Sequence, residues 1–192
     1  MNKYWIWLTS VVGGALVVYA FISNGFFPAA YADGEFISAR TQEAQVTAAV
    51  TYYDTIIKQA PPQGSAPKSV KEITPEIRRG VVEKLIENSI VRHQFAKKLG
   101  TAKQLIDAKV NDPALDKDET KKNIKALYGL DIPAFKQMVL MPQARKELLA
   151  AKIAEEKLNF EDWLKARKKE ARVIIFLKGL SWNGAEVVAK AK

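Results

Sequence analysis

The sequence predicts a mainly α-helical domain that is closed by a small β-sheet and preceded by one transmembrane helix. Residues Ala29–Ser38 have the pattern of a β-hairpin around Asp33-Gly34, a pair that favours a tight primed turn. The only other strong strand signal is the β-branched and aromatic run Arg172–Lys178. Because an isolated hairpin is marginally stable, we expect the late strand to pair with the hairpin and close the domain.

An uncharged apolar stretch from Tyr4 to Phe27 comes before the hairpin. About 20 apolar residues are enough to cross a bilayer core of about 30 Å. Lys3 precedes the stretch and the next basic residue is Arg40, so the positive-inside rule keeps the amino terminus in the cytoplasm. We therefore predict an anchor over residues 1–27 of a single-pass membrane protein. Residues 28–192 then form an extracytoplasmic domain, which is periplasmic or extracellular.

A cleaved signal peptide is the alternative for the same stretch. Ala30-Tyr31-Ala32 fits the small-residue pattern that precedes a cleavage site. The apolar run is longer than a typical signal core, however, and a cut after Ala32 would remove the first strand of the hairpin. Both observations favour a retained anchor.

Composition excludes several classes of function. The chain has no cysteine and one histidine, so it lacks thiolate metal sites, disulfides and a thiol nucleophile. Its net charge of +9 comes from 30 basic and 21 acidic residues. That balance fits a solvated lysine-rich surface, and no recognised nucleic-acid motif accompanies it. A glycine-rich phosphate loop is also absent, so we expect no cofactor, no bound metal, no nucleic acid and no small-molecule substrate.

Periodic apolar residues predict a series of helices between the two strand regions. Proline and glycine mark residues 61–67 as a linker between the first two helices. The predicted helices are Ser38–Gln59, Thr74–Leu99, Ala102–Val110, Asp116–Tyr128, Ile132–Lys157 and a last one that opens at Asn159.

Capping residues and prolines predict the details of these helices. Thr74-Pro75 has the pattern of a helix cap followed by proline at the first helical position. The apolar side of the predicted helix Thr74–Leu99 is expected to comprise Ile77, Val81, Leu85, Val91, Phe95 and Leu99. Pro142 lies inside a predicted helix, where it removes the hydrogen bond to the Met138 carbonyl and should cause a kink. Asn183-Gly184 predicts a second turn with a short returning strand after it.

Several segments, taken in order, resemble the amino-terminal domain of SurA-type and PrsA-type foldases. They are Asp33–Ser38, Val82–Gly100 with its ending Ala-Lys-Lys-Leu-Gly, Tyr128-Gly129, Phe135-Lys136 and Leu148-Leu149. The resemblance covers roughly residues 29–178. It implies a helical chaperone domain whose two ends meet in one small sheet.

The chain departs from these foldases at one important point. They usually carry a parvulin prolyl-isomerase module before the closing helix and strand, whereas here Ala150–Lys157 leads directly to Asn159–Trp163. The paired histidines of parvulin sites are missing as well. We therefore expect a protein that is not an enzyme.

The remaining function is the binding of other polypeptides. We expect an ATP-independent holdase that binds unfolded or exported chains through an adaptable apolar surface, for which flexible thioethers and aromatic rings are suited. The candidate residues are Tyr128, Phe135, Met138 and Met141, with Tyr53 as a further aromatic contact. Their helical spacing also fits a hydrophobic core.

A second function of a different class uses the same helices. In that alternative the protein is a non-catalytic structural or assembly subunit that grips one specific protein partner. Binding of several unfolded chains distinguishes the holdase from this alternative.

Overall fold

The computed structural model describes residues 25, 27–59 and 69–190, and it is mainly helical with two small sheets. In chain order the elements are β1 Pro28–Ala32, β2 Glu35–Ser38, α1 Ala39–Gln59, α2 Val70–Leu99, α3 Lys103–Val110, a 3-10 turn Pro113–Asp116, α4 Asp118–Tyr128, α5 Ile132–Phe135, a π-helical segment Lys136–Leu140, α6 Met141–Glu155, α7 Phe160–Glu170, β3 Val173–Ile175, β4 Leu180–Trp182 and β5 Val187–Ala189.

The predicted anchor over residues 1–27 and the linker over residues 61–67 lie outside the described residues, apart from Gly25 and Phe27. Within the described part of the chain, no helix is both long and apolar enough to cross a membrane. The division of the chain at residue 27 stays a prediction.

The amino-terminal hairpin forms at the predicted place. Asp33 and Gly34 connect β1 to β2, and both have positive φ, 46° and 95°. Two successive residues with positive φ define the primed turn that matches the twist of a two-residue hairpin. Tyr31 pairs with Phe36 across this hairpin.

The hairpin and the late strand β3 meet in one antiparallel sheet, as predicted. The strand order is β2-β1-β3, and Tyr31 lies opposite Ile174 of the late strand. Asp33 makes two hydrogen bonds to the backbone of Arg172, the residue before β3. Its backbone N–H donates to the Arg172 carbonyl at 3.2 Å, and its carboxylate accepts from the Arg172 N–H at 3.2 Å.

The long central helix α2 begins earlier than predicted. Ser69 is the cap, and its side chain and that of Glu72 satisfy each other's backbone N–H groups in a complete capping box. Thr74 is therefore inside the helix, where its hydroxyl donates to the Val70 carbonyl at 2.6 Å. The prediction of a start at Thr74 was wrong because the capping box satisfies more orphan donors than a threonine cap alone.

Helix α2 forms the centre of the core. Its side chains Ile86 and Ile90 are fully buried together with Leu149 and Ile153 of α6. Of the predicted apolar side, the residues that are buried are Leu85, Val91 and Phe95, whereas Ile77, Val81 and Leu99 are half-buried. The buried face is thus turned toward Ile86 and Ile90, since β1 and α6 pack on that side.

A π-helical turn lies directly before Pro142, where the sequence predicted a kink. Residues 132–155 are helical without interruption, but the Met141 N–H donates to the Lys136 carbonyl, five residues earlier. Pro142 follows at the second position of α6. Because proline lacks an N–H and crowds the carbonyl four residues before it, a widened turn directly upstream accommodates the ring.

The carboxyl-terminal elements complete the domain. The Asn159 side chain caps α7 by accepting from the backbone N–H groups of Glu161 and Asp162 at 2.9 and 3.1 Å. The strands β4 and β5 pair around the turn predicted at Asn183-Gly184. Val187 of this second hairpin is buried in the core.

Glu87 connects the two helices that contribute most to the core. This half-buried carboxylate of α2 contacts Lys84 at 3.0 Å and Lys146 of α6 at 3.3 Å. Burial raises the pKa of Glu87, but the two lysines lower it more, and the net pKa lies below its ordinary value of 4.5. The ionised form of Glu87 therefore stabilises the folded state.

The first prediction concerns the hairpin turn. Gly34→Ala places a side chain at a φ of 95°, and we expect it to lower the free energy of unfolding by about 1–2 kcal/mol. The matched control is Gly80→Ala inside α2, where a Cβ meets nothing within 4 Å. The free energy of unfolding of that variant should rise by about 0.5–1 kcal/mol. Denaturant unfolding followed by circular dichroism measures both, and equal effects would contradict the assigned turn.

The second prediction concerns acid stability. Because the folded pKa of Glu87 is depressed, its contribution is present above pH 4.5 and is lost as pH falls through the lower folded pKa. Glu87→Gln should cost about 1–2 kcal/mol at neutral pH and flatten the fall in stability below pH 4.5. The exposed Glu119→Gln removes one carboxylate charge at the surface and serves as the control for the change in net charge. An unaltered profile for Glu87→Gln would refute the assignment.

Candidate binding groove

A groove runs between α1 and α2 on one side and the segment from Tyr128 to Arg145 on the other. It consists of two adjoining cavities of about 410 and 720 Å³, both lined by Gln45 and Met138. We call the smaller one the apolar cavity and the larger one the mixed cavity. The apolar cavity is lined by Gln45, Ala48, Ala49, Tyr52, Ile77, Gly80, Val81, Lys84, Tyr128, Leu130, Met138 and Val139.

Small residues create the apolar cavity. Ala48 and Ala49 of α1 face Gly80 and Val81 of α2 across it. A Cβ placed on Gly80 would meet no atom within 4 Å, so the space beside this glycine is open. Larger side chains at these lining positions would fill the space between the two helices, as they do in an ordinary close-packed interface.

Three aromatic rings form one end of the groove. Tyr52 of α1 stacks on Tyr128 at the end of α4, with ring centroids 5.1 Å apart and planes inclined by 9°. Phe135 then contacts Tyr128 with a centroid distance of 5.4 Å. Tyr52 and Tyr128 both line the apolar cavity, whereas Phe135 supports Tyr128 from the side.

The two candidate methionines have different surroundings. Met138 lies in the π-helical segment and lines both cavities, so it stands where they join. Met141 lines the mixed cavity and also packs against the hydrophobic core. π-helical turns occur frequently at functional sites, and this one displays Met138 at the centre of the groove.

Cationic side chains line the opposite end of the groove. Arg92, Lys136 and Arg145 belong to the mixed cavity. Arg92 forms an ion pair with Glu35, and Lys136 donates to Asn111 at 3.0 Å. Burial and the neighbouring Arg92 lower the pKa of Arg145, while Glu35 raises it. One carboxylate thus lies beside two guanidinium groups, and together these three groups carry a net positive charge.

The structure brings most of the predicted site residues together. Tyr128, Met138 and Met141 line the groove, whereas Phe135 lines neither cavity and contacts the ring of Tyr128. Tyr53 lines neither cavity, whereas its neighbour Tyr52 lines the apolar cavity and stacks on Tyr128.

Gly80 and Arg145 were not predicted. A glycine inside a helix, where it costs stability relative to alanine, is a sequence signal for close approach or open space. Arg145 has no such signal, since one arginine among many basic residues does not reveal its burial.

No group of three histidine, aspartate or glutamate side chains in the described ranges is arranged to hold a metal ion. His93 is half-buried on α2. The expected absence of catalysis, cofactor and metal remains a prediction.

Comparison with known proteins finds no matching family model, no matching curated protein and no matching solved structure. The resemblance to SurA-type and PrsA-type domains therefore rests on the sequence segments and enters the functional proposal only.

The third prediction separates the two methionines. Met138→Ser should change the free energy of unfolding by less than about 1 kcal/mol, because Met138 faces the groove, whereas Met141→Ser should cost about 2 kcal/mol, because Met141 also packs on the core. Chemical denaturation of each single variant measures the difference. Equal losses would show that Met138 is a core residue as well.

Proposed function

We propose that this protein is a membrane-anchored, extracytoplasmic, ATP-independent holdase that binds unfolded or exported polypeptides. The observation that carries the proposal is the groove, in which Tyr52, Tyr128 and Met138 line the apolar cavity. This cavity adjoins the mixed cavity with its cationic side chains. Grooves of this kind suit extended segments that combine apolar and acidic side chains.

The chemistry of the lining explains how one groove accepts many sequences. Methionine has three rotatable bonds and a polarizable sulfur, so it adapts to differently shaped side chains. Aromatic rings supply apolar contact area with little loss of conformational entropy. The surrounding surface is rich in lysine, and its net charge keeps the protein soluble while apolar surface stays accessible.

The position of β1 supports a retained anchor. Cleavage after Ala32 would remove β1, which lies between β2 and β3 and provides the fully buried Ala30 and Ala32. The amino-terminal apolar stretch is continuous in sequence with this strand. On our proposal it holds the domain at the outer surface of the membrane, where exported chains emerge unfolded.

The resemblance to SurA-type and PrsA-type foldases agrees with this function. Those proteins carry a chaperone domain of the same expected closure, and the isomerase module they usually carry has no counterpart between α6 and α7. We therefore propose a holdase without prolyl-isomerase activity and without a nucleotide cycle.

The fourth prediction tests the groove with a variant that does not loosen the fold. Gly80→Leu removes a helix-interior glycine, which should stabilise α2 by about 0.5–1 kcal/mol, and it fills part of the apolar cavity. We expect the full-length protein in nanodiscs to slow aggregation of a reduced, unfolded client without nucleotide. Gly80→Leu should weaken that client's affinity about tenfold, or about 1.4 kcal/mol.

The matched control is Arg79→Leu, which adds the same side chain one residue away, outside the groove lining. It should bind clients like the unchanged protein. Equal binding by all three proteins would refute the groove as the site. Failure to bind any unfolded chain, together with stoichiometric capture of one folded partner, would favour the structural or assembly subunit.

A further inference from the structure

The outer face of the three-stranded sheet is apolar, and none of the described residues covers it. Tyr31 of β1 lies opposite Phe36 of β2 and opposite Ile174 of β3, so the three side chains form a row across the sheet. Phe36 is 70% exposed and Ile174 is 42% exposed. Phe176, two residues beyond Ile174, is 50% exposed. Tyr31 and Phe36 contact each other edge to face at 5.1 Å.

The inner face of the same sheet packs against the hydrophobic core. Ala30, Ala32 and Ile37 are buried there, and Val173 and Ile175 pack against the same cluster. An antiparallel sheet with one face on the core normally shows polar residues on the other. Here both faces are apolar, and an exposed apolar patch of this kind marks a surface that meets a partner or a membrane.

Basic residues bracket the patch. Exposure alternates along the late strand, and the exposed positions are Arg172, Ile174, Phe176 and Lys178. The side chains of Arg172 and Lys178 make no ion pair within the described residues. Two apolar side chains between two cationic ones match a lipid surface, where the chains enter the interface and the charges meet phosphate groups.

The predicted anchor before β1 indicates that the membrane is what covers this face of the sheet. β1 begins at Pro28, directly after the apolar stretch that ends at Phe27. An anchor ending there places the first strand of this sheet within one residue of the membrane surface. Aromatic side chains are enriched at that depth, and cationic ones are attracted to anionic headgroups.

We propose that the outer face of the sheet, formed by Tyr31, Phe36, Ile174 and Phe176, rests on the lipid surface of the membrane that holds the anchor. The inference rests on the anchor in the proposed function. It orients the domain as well, because Phe36 and Ile37 also line the mixed cavity. The groove then opens beside the membrane.

The absence of cysteine makes a direct test practical, since every introduced cysteine is the only one. Nitroxide labels are placed on Ile174→Cys and Phe176→Cys, and on the controls Leu105→Cys and Leu158→Cys, which are 52% and 49% exposed on the helical part. Full-length protein is reconstituted into vesicles of phosphatidylcholine and phosphatidylglycerol. Collision of each label with oxygen, which enters lipid, is compared with collision with a water-soluble nickel complex.

We expect the labels at 174 and 176 to collide preferentially with oxygen, and the labels at 105 and 158 preferentially with nickel. The double variant Arg172→Gln, Lys178→Gln should reduce the oxygen preference at 176 in anionic vesicles and leave it unchanged in purely zwitterionic ones. Preferential nickel collision at 174 and 176 in protein that floats with the vesicles would overturn the inference. Protection from both agents together with dipolar broadening between labels would identify a second copy instead and also overturn it.

The same samples distinguish this inference from the proposed function. Lipid-protected labels without aggregation suppression would leave the membrane-facing sheet standing and refute the holdase. Water-exposed labels together with full suppression of aggregation would refute the lipid contact of the sheet and leave the holdase standing. A chain that does not float with vesicles refutes the anchor and the lipid contact together.

Discussion

The fold depends on the packing of β1 between its two neighbours and α2. Ala30 and Ala32 have no exposed surface, and their small side chains let the helix approach the backbone of the strand. The Ser89 hydroxyl of α2 lies 3.0 Å from the Ala32 carbonyl oxygen and 2.7 Å from a Glu35 carboxylate oxygen, and it donates its single hydrogen to one of them at a time. A larger residue at either alanine would push α2 away, and both the sheet and the helical core would lose their common contact.

This closure explains how the groove arises. The chain ends are held at one place, so α1 and the segments after α3 leave and return around the fixed α2. α1 packs on both α2 and α4, and α6 packs on α2. Between these contacts the small residues Ala48, Ala49 and Gly80 leave space that no side chain of the described residues fills. The open groove is therefore a consequence of residue size at a few positions on a rigid frame, which is how a binding site keeps its shape without a ligand.

Local chemistry is the part of this fold that the sequence predicts well. Asp33-Gly34 requires a primed turn and Asn159 caps a helix, and both are found where they were expected. The pairing of the late strand with the hairpin followed from the lack of another partner. The groove depends on tertiary contact, and here the prediction was less accurate. Met138 and Tyr128 line the groove, but Tyr53 does not and its neighbour Tyr52 does, because a single helical position, 100° of rotation, separates the directions of the two rings. The rotation of the α2 face toward Ile86 and Ile90 was missed for the same reason.

The two halves of the groove act over different distances, and this difference matters for a proposed holdase. In the proposed holdase, the cationic end with Arg145 and Arg92 would attract acidic segments over roughly 10 Å at 0.1 M salt, which would favour rapid capture. Apolar contact at Met138 and Tyr128 acts only at close range and is not screened by salt, so it would govern how long a client stays. An unfolded chain carries both kinds of side chain close together in sequence, whereas a folded protein buries most of its apolar ones. In the proposed holdase, the junction of the two cavities at Met138 would therefore favour unfolded chains without requiring any particular sequence.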